Sequence, residues 1–241
     1  DSSVPYTLRV WEARPLPFDQ PQASTTLSDT LWLFERVDSP VIGLEITTAG
    51  DALTPQMALR DADGVWLPDG AASSAPGRAS IPAYVLPAGD RFIVQVMADG
   101  SALPYTLTLT SLAAPTLVMD QPVPSTTQAN PIWTFAGQAG QIVDITLNSE
   151  LTFNPALRLL DAGGAAVAYD DDSGGDLNAR IAAAFLPADG QYFIQPLPAG
   201  SPVSYTLTVS SATSQTIRLL QPDETVTSTL RQDTLWAFDG R

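Results

Sequence analysis

The sequence repeats itself about every 100 residues, and this constrains the fold more than any other feature. Three short patterns recur along the chain: Tyr-Thr-Leu at Tyr6, Tyr105 and Tyr205, Gln-Pro at Gln20, Gln121 and Gln221, and Trp-x-Phe at Trp32, Trp133 and Trp236. Their successive spacings are 99 and 100, 101 and 100, and 101 and 103 residues. A period of this length indicates a tandem array of small domains.

The repeats divide the chain into two complete copies and two partial ones. The complete copies span residues 19–112 and 119–212. Residues 1–18 correspond to the closing strand of a preceding repeat, and residues 219–241 to the opening strands of a following repeat. Each complete copy already has its own closing strand. We therefore expect the partial copies to pair with adjacent repeats of a longer chain or with neighbouring subunits.

Each copy has the period-two pattern of β-strands. In residues 105–109 large apolar residues alternate with Thr, and residues 92–96 and 143–147 alternate in the same way. Turn signals such as Ala-Asp-Gly arrive about every ten residues, and 21 Pro and 16 Gly oppose long helices. The sequence therefore predicts an all-β fold of tandem antiparallel β-sandwiches of about 100 residues each.

The composition excludes several kinds of chemistry. The chain has no His and no Cys, and all 11 basic residues are Arg, so a Ser-His-Asp system, the usual zinc sites, disulfides and a catalytic lysine are absent. A net charge of −15 opposes binding to nucleic acid or to an anionic membrane, and no apolar run is long enough to span a bilayer. Asp61 and Asp161 recur in both copies, but each precedes a turn, where Asp caps its own backbone. We predict no enzymatic activity.

The second copy carries a series of motifs in a recognisable order. Trp133-x-Phe135 is followed by an apolar strand, then by Leu-x-Leu-x-Asp-x-x-Gly at residues 157–164, an acidic turn at 170–178 and Leu-Pro-Ala-Asp-Gly at 186–190. This order resembles the bacterial pre-peptidase C-terminal domain, which is similar in fold to the collagen-binding modules of clostridial collagenases. The resemblance implies a jelly-roll-like sandwich, without catalytic residues, that is secreted or displayed on a bacterial cell surface.

The acidic turn is the one local feature with chemical content. Clustered carboxylates beside flexible Gly residues supply the oxygen ligands that Ca²⁺ prefers. Ca²⁺ is the one candidate, and apart from it we expect no cofactor. The alternative is a solvated turn, because the first copy lacks these acids and still folds. If Ca²⁺ binds, it should raise the melting midpoint of the second repeat at millimolar concentration. The predicted ligands are Asp170, Asp171, Asp172 and Asp176.

The tryptophans fall into two groups. Trp32, Trp133 and Trp236 recur at one strand position with Phe two residues later, which favours a place in the core over a role in ligand stacking. Trp11 and Trp66 have no counterparts in the other copies. Either is a candidate for an exposed aromatic residue at a domain contact or a ligand surface.

Two functions remain open from the sequence. The first is a non-enzymatic structural protein of a bacterial surface fibre, stalk or sheath, with copies of itself or adjacent repeats as partners. The alternative is an accessory region of a secreted hydrolase that binds collagen, polysaccharide or another extracellular polymer. The assembly residues predicted by the first function are the apolar faces of the two partial copies, namely Tyr6, Leu8, Val10, Trp236 and Phe238.

Overall fold

The structure is a computed structural model. It describes residues 12–25, 28–50, 54–97, 102, 104–126, 132–149, 154–197, 204–212, 218–220 and 236–238. The chain divides into two compact units, Asp1–Ala114 and Pro115–Arg241. No described part of the chain forms a helix with the length and hydropathy needed to cross a lipid bilayer.

The first unit contains ten described strands in two five-stranded sheets. The strands are β1 Arg14–Pro15, β2 Gln22–Thr25, β3 Thr30–Glu35, β4 Val41–Thr48, β5 Gln56–Asp61, β6 Trp66–Ala71, β7 Ser73–Ala75, β8 Arg78–Val85, β9 Arg91–Met97 and β10 Pro104–Ser111. One sheet has the order β1-β3-β9-β5-β6 and the other β2-β10-β4-β8-β7. All pairings except β1 with β3 are antiparallel.

The second unit has the same arrangement in two four-stranded sheets, and it also contains a separate two-stranded sheet. Its strands are β11 Val123–Thr126, β12 Trp133–Gly137, β13 Ile142–Ser149, β14 Ala156–Leu160, β15 Ala166–Asp170, β16 Ala179–Phe185, β17 Gly190–Leu197, β18 Ser204–Ser211, β19 Arg218–Leu220 and β20 Trp236–Phe238. The two main sheets have the orders β12-β17-β14-β15 and β11-β18-β13-β16. The strand order therefore matches that of the first unit without its edge strands β1 and β7.

The alternation along each strand explains how the two sheets form a sandwich. In β10, Tyr105, Leu107 and Leu109 are buried while the intervening Thr side chains are half-buried. In β18, Tyr205, Leu207 and Val209 follow the same pattern. Residues from both sheets of a unit contribute to one apolar core, and each unit has its own core. The predicted all-β fold of antiparallel sandwiches is confirmed.

The segment before the first Gln-Pro pattern belongs to the sandwich that follows it. Leu16 is 3% exposed and lies in the first core, and Leu117 is 4% exposed and lies in the second. The amide of Asp19 donates to the carbonyl of Leu109, and the amide of Asp120 donates to that of Val209, at 2.8 Å in both units. Residues 14–18 therefore pack in the first unit and not, as predicted, in a preceding repeat, and residues 115–118 pack in the second unit. The sequence did not predict this packing, because the residues around Pro15 and Pro115 have the composition of turns and linkers.

A parallel contact that opens both sandwiches occurs three times along the chain. Arg14 pairs with Trp32, Thr116 with Thr134 and Arg218 with Trp236, always between residues 18 apart in the sequence. In the third case β19 and β20 form a two-stranded parallel sheet, which the structure describes by its backbone. The backbone pairing that opens each sandwich therefore also occurs between β19 and β20.

Candidate functional site

The acidic turn between β15 and β16 is exposed, and its four acids do not converge. Asp171, Asp172 and Asp176 are exposed, and Asp170 at the end of β15 is half-buried. Among the residues that the structure describes, no group of three or more Asp or Glu side chains is placed to hold a metal ion. The calcium site at this turn stays a prediction, and the geometry gives one of its four residues a different role.

Asp170 and Ser173 satisfy the backbone at the edge of β16. One oxygen of the Asp170 carboxylate, Oδ2, accepts hydrogen bonds from the amide of Arg180 at 2.7 Å and from the amide of Ser173 at 3.1 Å. The Ser173 hydroxyl donates to the carbonyl of Arg180 at 2.8 Å. Both polar backbone groups of Arg180 are therefore bonded to side chains, so this point of the edge is not open to another strand.

Further hydrogen bonds fix the shape of the turn. The Asn178 side chain accepts a hydrogen bond from the amide of Ser149 at 2.8 Å, and the Gly174 amide donates to the Asn178 carbonyl at 2.8 Å. A Cβ at Gly174 would lie 2.7 Å from that carbonyl oxygen, so only Gly fits there. The Asn154 amide nitrogen donates to the carbonyls of Asp171 and Leu177, in the orientation that satisfies both of its side-chain atoms. The turn is therefore an ordered part of the second sandwich, held by hydrogen bonds.

The first unit satisfies the same edge in another way. There β7 pairs with the outer side of β8, and Ser73 lies opposite Ser80. Ser73 and Ser80 are the counterparts of Ser173 and Arg180 at an offset of 100 residues. A backbone pairing in the first unit is thus replaced by side-chain hydrogen bonds in the second.

The predicted assembly residues lie outside the described side chains. Tyr6, Leu8 and Val10 fall in a segment that the structure does not describe, as does Trp11. Trp236 and Phe238 are described by their backbone alone, in β20. Pairing of the partial copies with neighbouring repeats or subunits stays a prediction.

The recurring aspartates are turn caps, as predicted. Oδ1 of Asp61 accepts hydrogen bonds from the amides of Asp63 and Val65 at 3.0 and 2.8 Å. Oδ1 of Asp161 accepts from the amides of Gly163 and Ala165, both at 2.9 Å. Each carboxylate organises the turn after it and is thereby occupied by the backbone.

Two of the recurring tryptophans are core residues, as predicted, and each bonds to the recurring tyrosine. Trp32 is 3% exposed and Trp133 is 5% exposed. Nε1 of Trp32 donates to the Tyr105 hydroxyl at 3.0 Å, and Nε1 of Trp133 donates to the Tyr205 hydroxyl at 2.7 Å. These bonds join the two sheets of each sandwich, because Trp and Tyr lie on strands of opposite sheets. Two of the three patterns that define the repeat thus meet in the core.

Burial raises the pKa of Tyr205 above its ordinary value of 10.0. Hydrogen bonds with Trp133 and Ser125 oppose part of that rise. The dominant cause is desolvation, because a phenolate loses more hydration than a neutral phenol does in an apolar core. This tyrosine is therefore a neutral structural group at physiological pH.

Trp66 is exposed and lies over an arginine on the outer face of the first unit. Its side chain is 47% exposed, and the Arg60 guanidinium carbon lies 3.5 Å from the centroid of the indole ring. Arg60 Nε donates to Oε1 of Gln95 at 2.8 Å, and Nε2 of Gln95 donates to Oδ2 of Asp29 at 2.8 Å. Sequence reasoning identified Trp66 but missed Arg60, Gln95 and Asp29. No local pattern links them, since the sheet brings them together from distant strands.

The comparisons agree with the resemblance in the second unit. Residues 130–195 match the family model of the bacterial pre-peptidase C-terminal domain. A similar solved structure is the pre-peptidase C-terminal domain of a collagenase from Bacillus anthracis, with 9% identity and a TM-score of 0.38, over 43% of this chain and 100% of that chain. No curated protein sequence matches the chain. The family match confirms the predicted resemblance to the bacterial pre-peptidase C-terminal domain for residues 130–195 of the second unit.

Proposed function

We propose that the chain is a non-enzymatic structural segment of tandem β-sandwich modules in a bacterial extracellular fibre, stalk or sheath. The observation that carries this proposal is the parallel opening contact between residues 18 apart, which recurs at Arg14, Thr116 and Arg218. A device repeated in this way is suited to a chain whose modules follow one another in series.

The short link between the two units also supports a structural role. The amide of Leu112 donates to the carbonyl of Val41 in the first unit at 2.9 Å. The carbonyl of Pro115 accepts from the amide of Thr134 in the second unit at 2.9 Å. Ala113 and Ala114 alone separate these anchored residues, so the second module follows the first closely along the chain, as in a series of tandem modules.

Immunogold electron microscopy of cells that express the protein tests this role. Antibodies against the chain should label extended surface material, and filaments or a sheath are the expected objects. Label confined to dispersed particles in the culture medium would contradict the proposal. Deleting residues 1–11 should lower association of the purified chain, measured by light scattering, if the partial copies pair between subunits.

A second candidate is an accessory region of a secreted hydrolase that holds an extracellular polymer. It is favoured by the exposed Trp66 and its row of hydrogen-bonded side chains. The family that residues 130–195 match is a non-catalytic domain attached to secreted proteases, which supports an extracellular location. Co-sedimentation of the purified chain with insoluble collagen, cellulose, chitin and starch tests this candidate. Failure to sediment with any of them would contradict it.

A further inference from the structure

A shallow cavity lies beside Arg60 on the outer face of the sheet β1-β3-β9-β5-β6. It has a volume of about 310 Å³. Its lining residues are Asp29, Leu31, Arg60, Gly64, Ile93 and Gln95. Trp66 lies at the edge of this surface, because it is paired with Arg60 across β5 and β6 and is in contact with the guanidinium. We call these seven residues the outer-face site.

The polar side chains of the outer-face site hold one another in place. The hydrogen bonds from Arg60 to Gln95 and from Gln95 to Asp29 form a row across the sheet, and NH1 of Arg60 also donates to the carbonyl of Gly64 at 2.5 Å. The guanidinium is further fixed by the indole of Trp66. Side chains that are already ordered lose little conformational entropy when a ligand binds, so a preorganised row favours binding.

The charges of the outer-face site favour an uncharged ligand. The Asp29 carboxylate would repel an anion, and the guanidinium of Arg60 would repel a cation. The net charge of −15 on the whole chain opposes a polyanion as well. A ligand rich in hydroxyl groups suits the site, because each hydroxyl both donates and accepts and can therefore match the carboxylate, the amide and the guanidinium.

The outer-face site also has an apolar part that a sugar ring could contact. Leu31 and Ile93 are half-buried and provide an apolar floor between the polar groups. The exposed indole of Trp66 adds a flat surface. Its ring face is apolar, and its N–H group makes one edge polar. A pyranose ring has the same two characters, with C–H groups on its faces and hydroxyls around its rim. The cavity volume lies at the lower end of the range for small-molecule sites.

The second unit does not repeat this arrangement. At an offset of 100 residues, Leu160 replaces Arg60 and Phe193 replaces Ile93. Both are buried, with Leu160 6% and Phe193 1% exposed. The outer-face site is therefore a property of the first unit and not a requirement of the shared fold.

We propose that the outer-face site binds a neutral oligosaccharide, with the Asp29–Gln95–Arg60 row bonded to the sugar hydroxyls and Trp66 against a ring face. This inference deepens the second candidate function and rests on it. It names the ligand class and the residues that would recognise the ligand.

The experiment is a titration of the full ¹⁵N-labelled chain with four neutral hexasaccharides, followed by NMR. The probes are cellohexaose, maltohexaose, mannohexaose and chitohexaose. At least one probe should shift the indole N–H signal of Trp66, which is assigned by its absence in Trp66→Phe. The buried indoles of Trp32 and Trp133 should not move and serve as internal controls. If no probe shifts the Trp66 signal at 10 mM, which is about the weak limit of specific binding, the proposal is wrong.

Variants separate this site from other surfaces of the chain. Arg60→Ala and Gln95→Leu should each weaken the binding of that probe about tenfold, as measured by calorimetry. Tyr169→Ala removes a comparably exposed aromatic side chain, 57% exposed, from the second unit and should leave the affinity unchanged. Thermal melts establish that each variant is folded. Equal binding by wild type, Arg60→Ala and Gln95→Leu would overturn the proposal.

Co-sedimentation separates failure of this inference from failure of the accessory role. If no hexasaccharide binds but the chain still sediments with collagen, the outer-face proposal is wrong and the accessory role stands. If the chain sediments with no polymer and binds no hexasaccharide, both are wrong.

Discussion

The two units share a strand order but complete one sheet edge by different means. In the first unit the chain continues through β7 and adds a fifth strand beside β8. In the second unit it turns, and Asp170 and Ser173 bond to the backbone of Arg180 instead. The difference teaches that the fold requires this edge to be satisfied but does not prescribe a strand for the purpose. It also explains why the first repeat has no acids at this point.

The units also differ at the residue that faces a β-bulge. The bulge in β8 lies opposite Gly43 of β4, and the corresponding bulge in β16 lies opposite Asp144 of β13. Opposite Asp144, Ala183 adopts a left-handed conformation with φ of 51°, and its amide donates to Oδ1 of Asp144 at 2.6 Å. A side-chain acceptor thus supports a backbone conformation that costs free energy for a residue with a Cβ.

The largest effect on stability is expected from the opening segments, which pack in the core of the unit that they begin. Leu16→Ala and Leu117→Ala should each lower the free energy of unfolding of one sandwich by about 2–5 kcal/mol, because each removes a buried side chain and leaves a cavity. Hydrogen exchange read by mass spectrometry on the full chain localises the loss. Leu16→Ala should speed exchange in β3 and β9 and leave β12 and β17 unchanged. Exchange that stays slow in β3 would place Leu16 outside the first core.

The next largest effect on stability is expected at the edge of β16, where the second unit differs from the first. Asp170→Ala removes the acceptor of two backbone amides and should lower the free energy of unfolding of the second unit by about 1–3 kcal/mol. Asp172→Ala is the matched control, since its exposed side chain lies in the same turn, and it should change stability by less than about 0.5 kcal/mol. Equal losses in the two variants, measured by chemical denaturation, would mean that the charge of the turn matters rather than the bonds of Asp170.

The third effect concerns the bond between the sheets and its response to pH. The folded pKa of Tyr205 is raised by burial, so the unfolded chain loses this proton first as the pH increases. Below pH 10 the group is neutral in both states, and above that value the free energy of unfolding should fall as the pH rises. Tyr205→Phe should remove that part of the alkaline decline. It should also cost about 1–3 kcal/mol at neutral pH, because Nε1 of Trp133 loses its acceptor. Melting curves between about pH 7 and 11 measure the loss at neutral pH and the alkaline decline. The range extends about one unit above the ordinary tyrosine pKa.

The smallest effect is a stabilisation at the bulge. Ala183→Gly should raise the free energy of unfolding of the second unit by up to about 1 kcal/mol, because Gly adopts a positive φ without steric cost. Ala83→Gly is the matched control in the first unit. Ala83 is buried in a strand, so this change should lower stability by about 0.5–1 kcal/mol. Opposite signs, measured by denaturant titration, are the expected result, and equal losses would contradict the role given to the left-handed backbone.

The sequence by itself determined the repeat, the all-β fold and the buried faces of the repeated strands. Alternation along β10 and β18 predicted the buried faces, and the position of Trp32 and Trp133 predicted their burial, because period-two patterns and recurrence are local signals. Asp61 and Asp161 were predictable as turn caps for the same reason, since each bonds to amides two and four residues ahead.

Only the tertiary structure decided which segment belongs to which sandwich and which side chains meet. Leu16 and Leu117 join the cores through a parallel contact 18 residues away, and Pro-containing sequence gives no periodic signal for it. The row from Asp29 through Gln95 to Arg60 is assembled by the pairing of β3, β9 and β5, strands separated by loops of unrelated sequence. Strand pairing brings distant residues into contact, but neither segment carries a sequence pattern that identifies its partner. Local patterns therefore predict the sandwich but not which side chains meet on its surface.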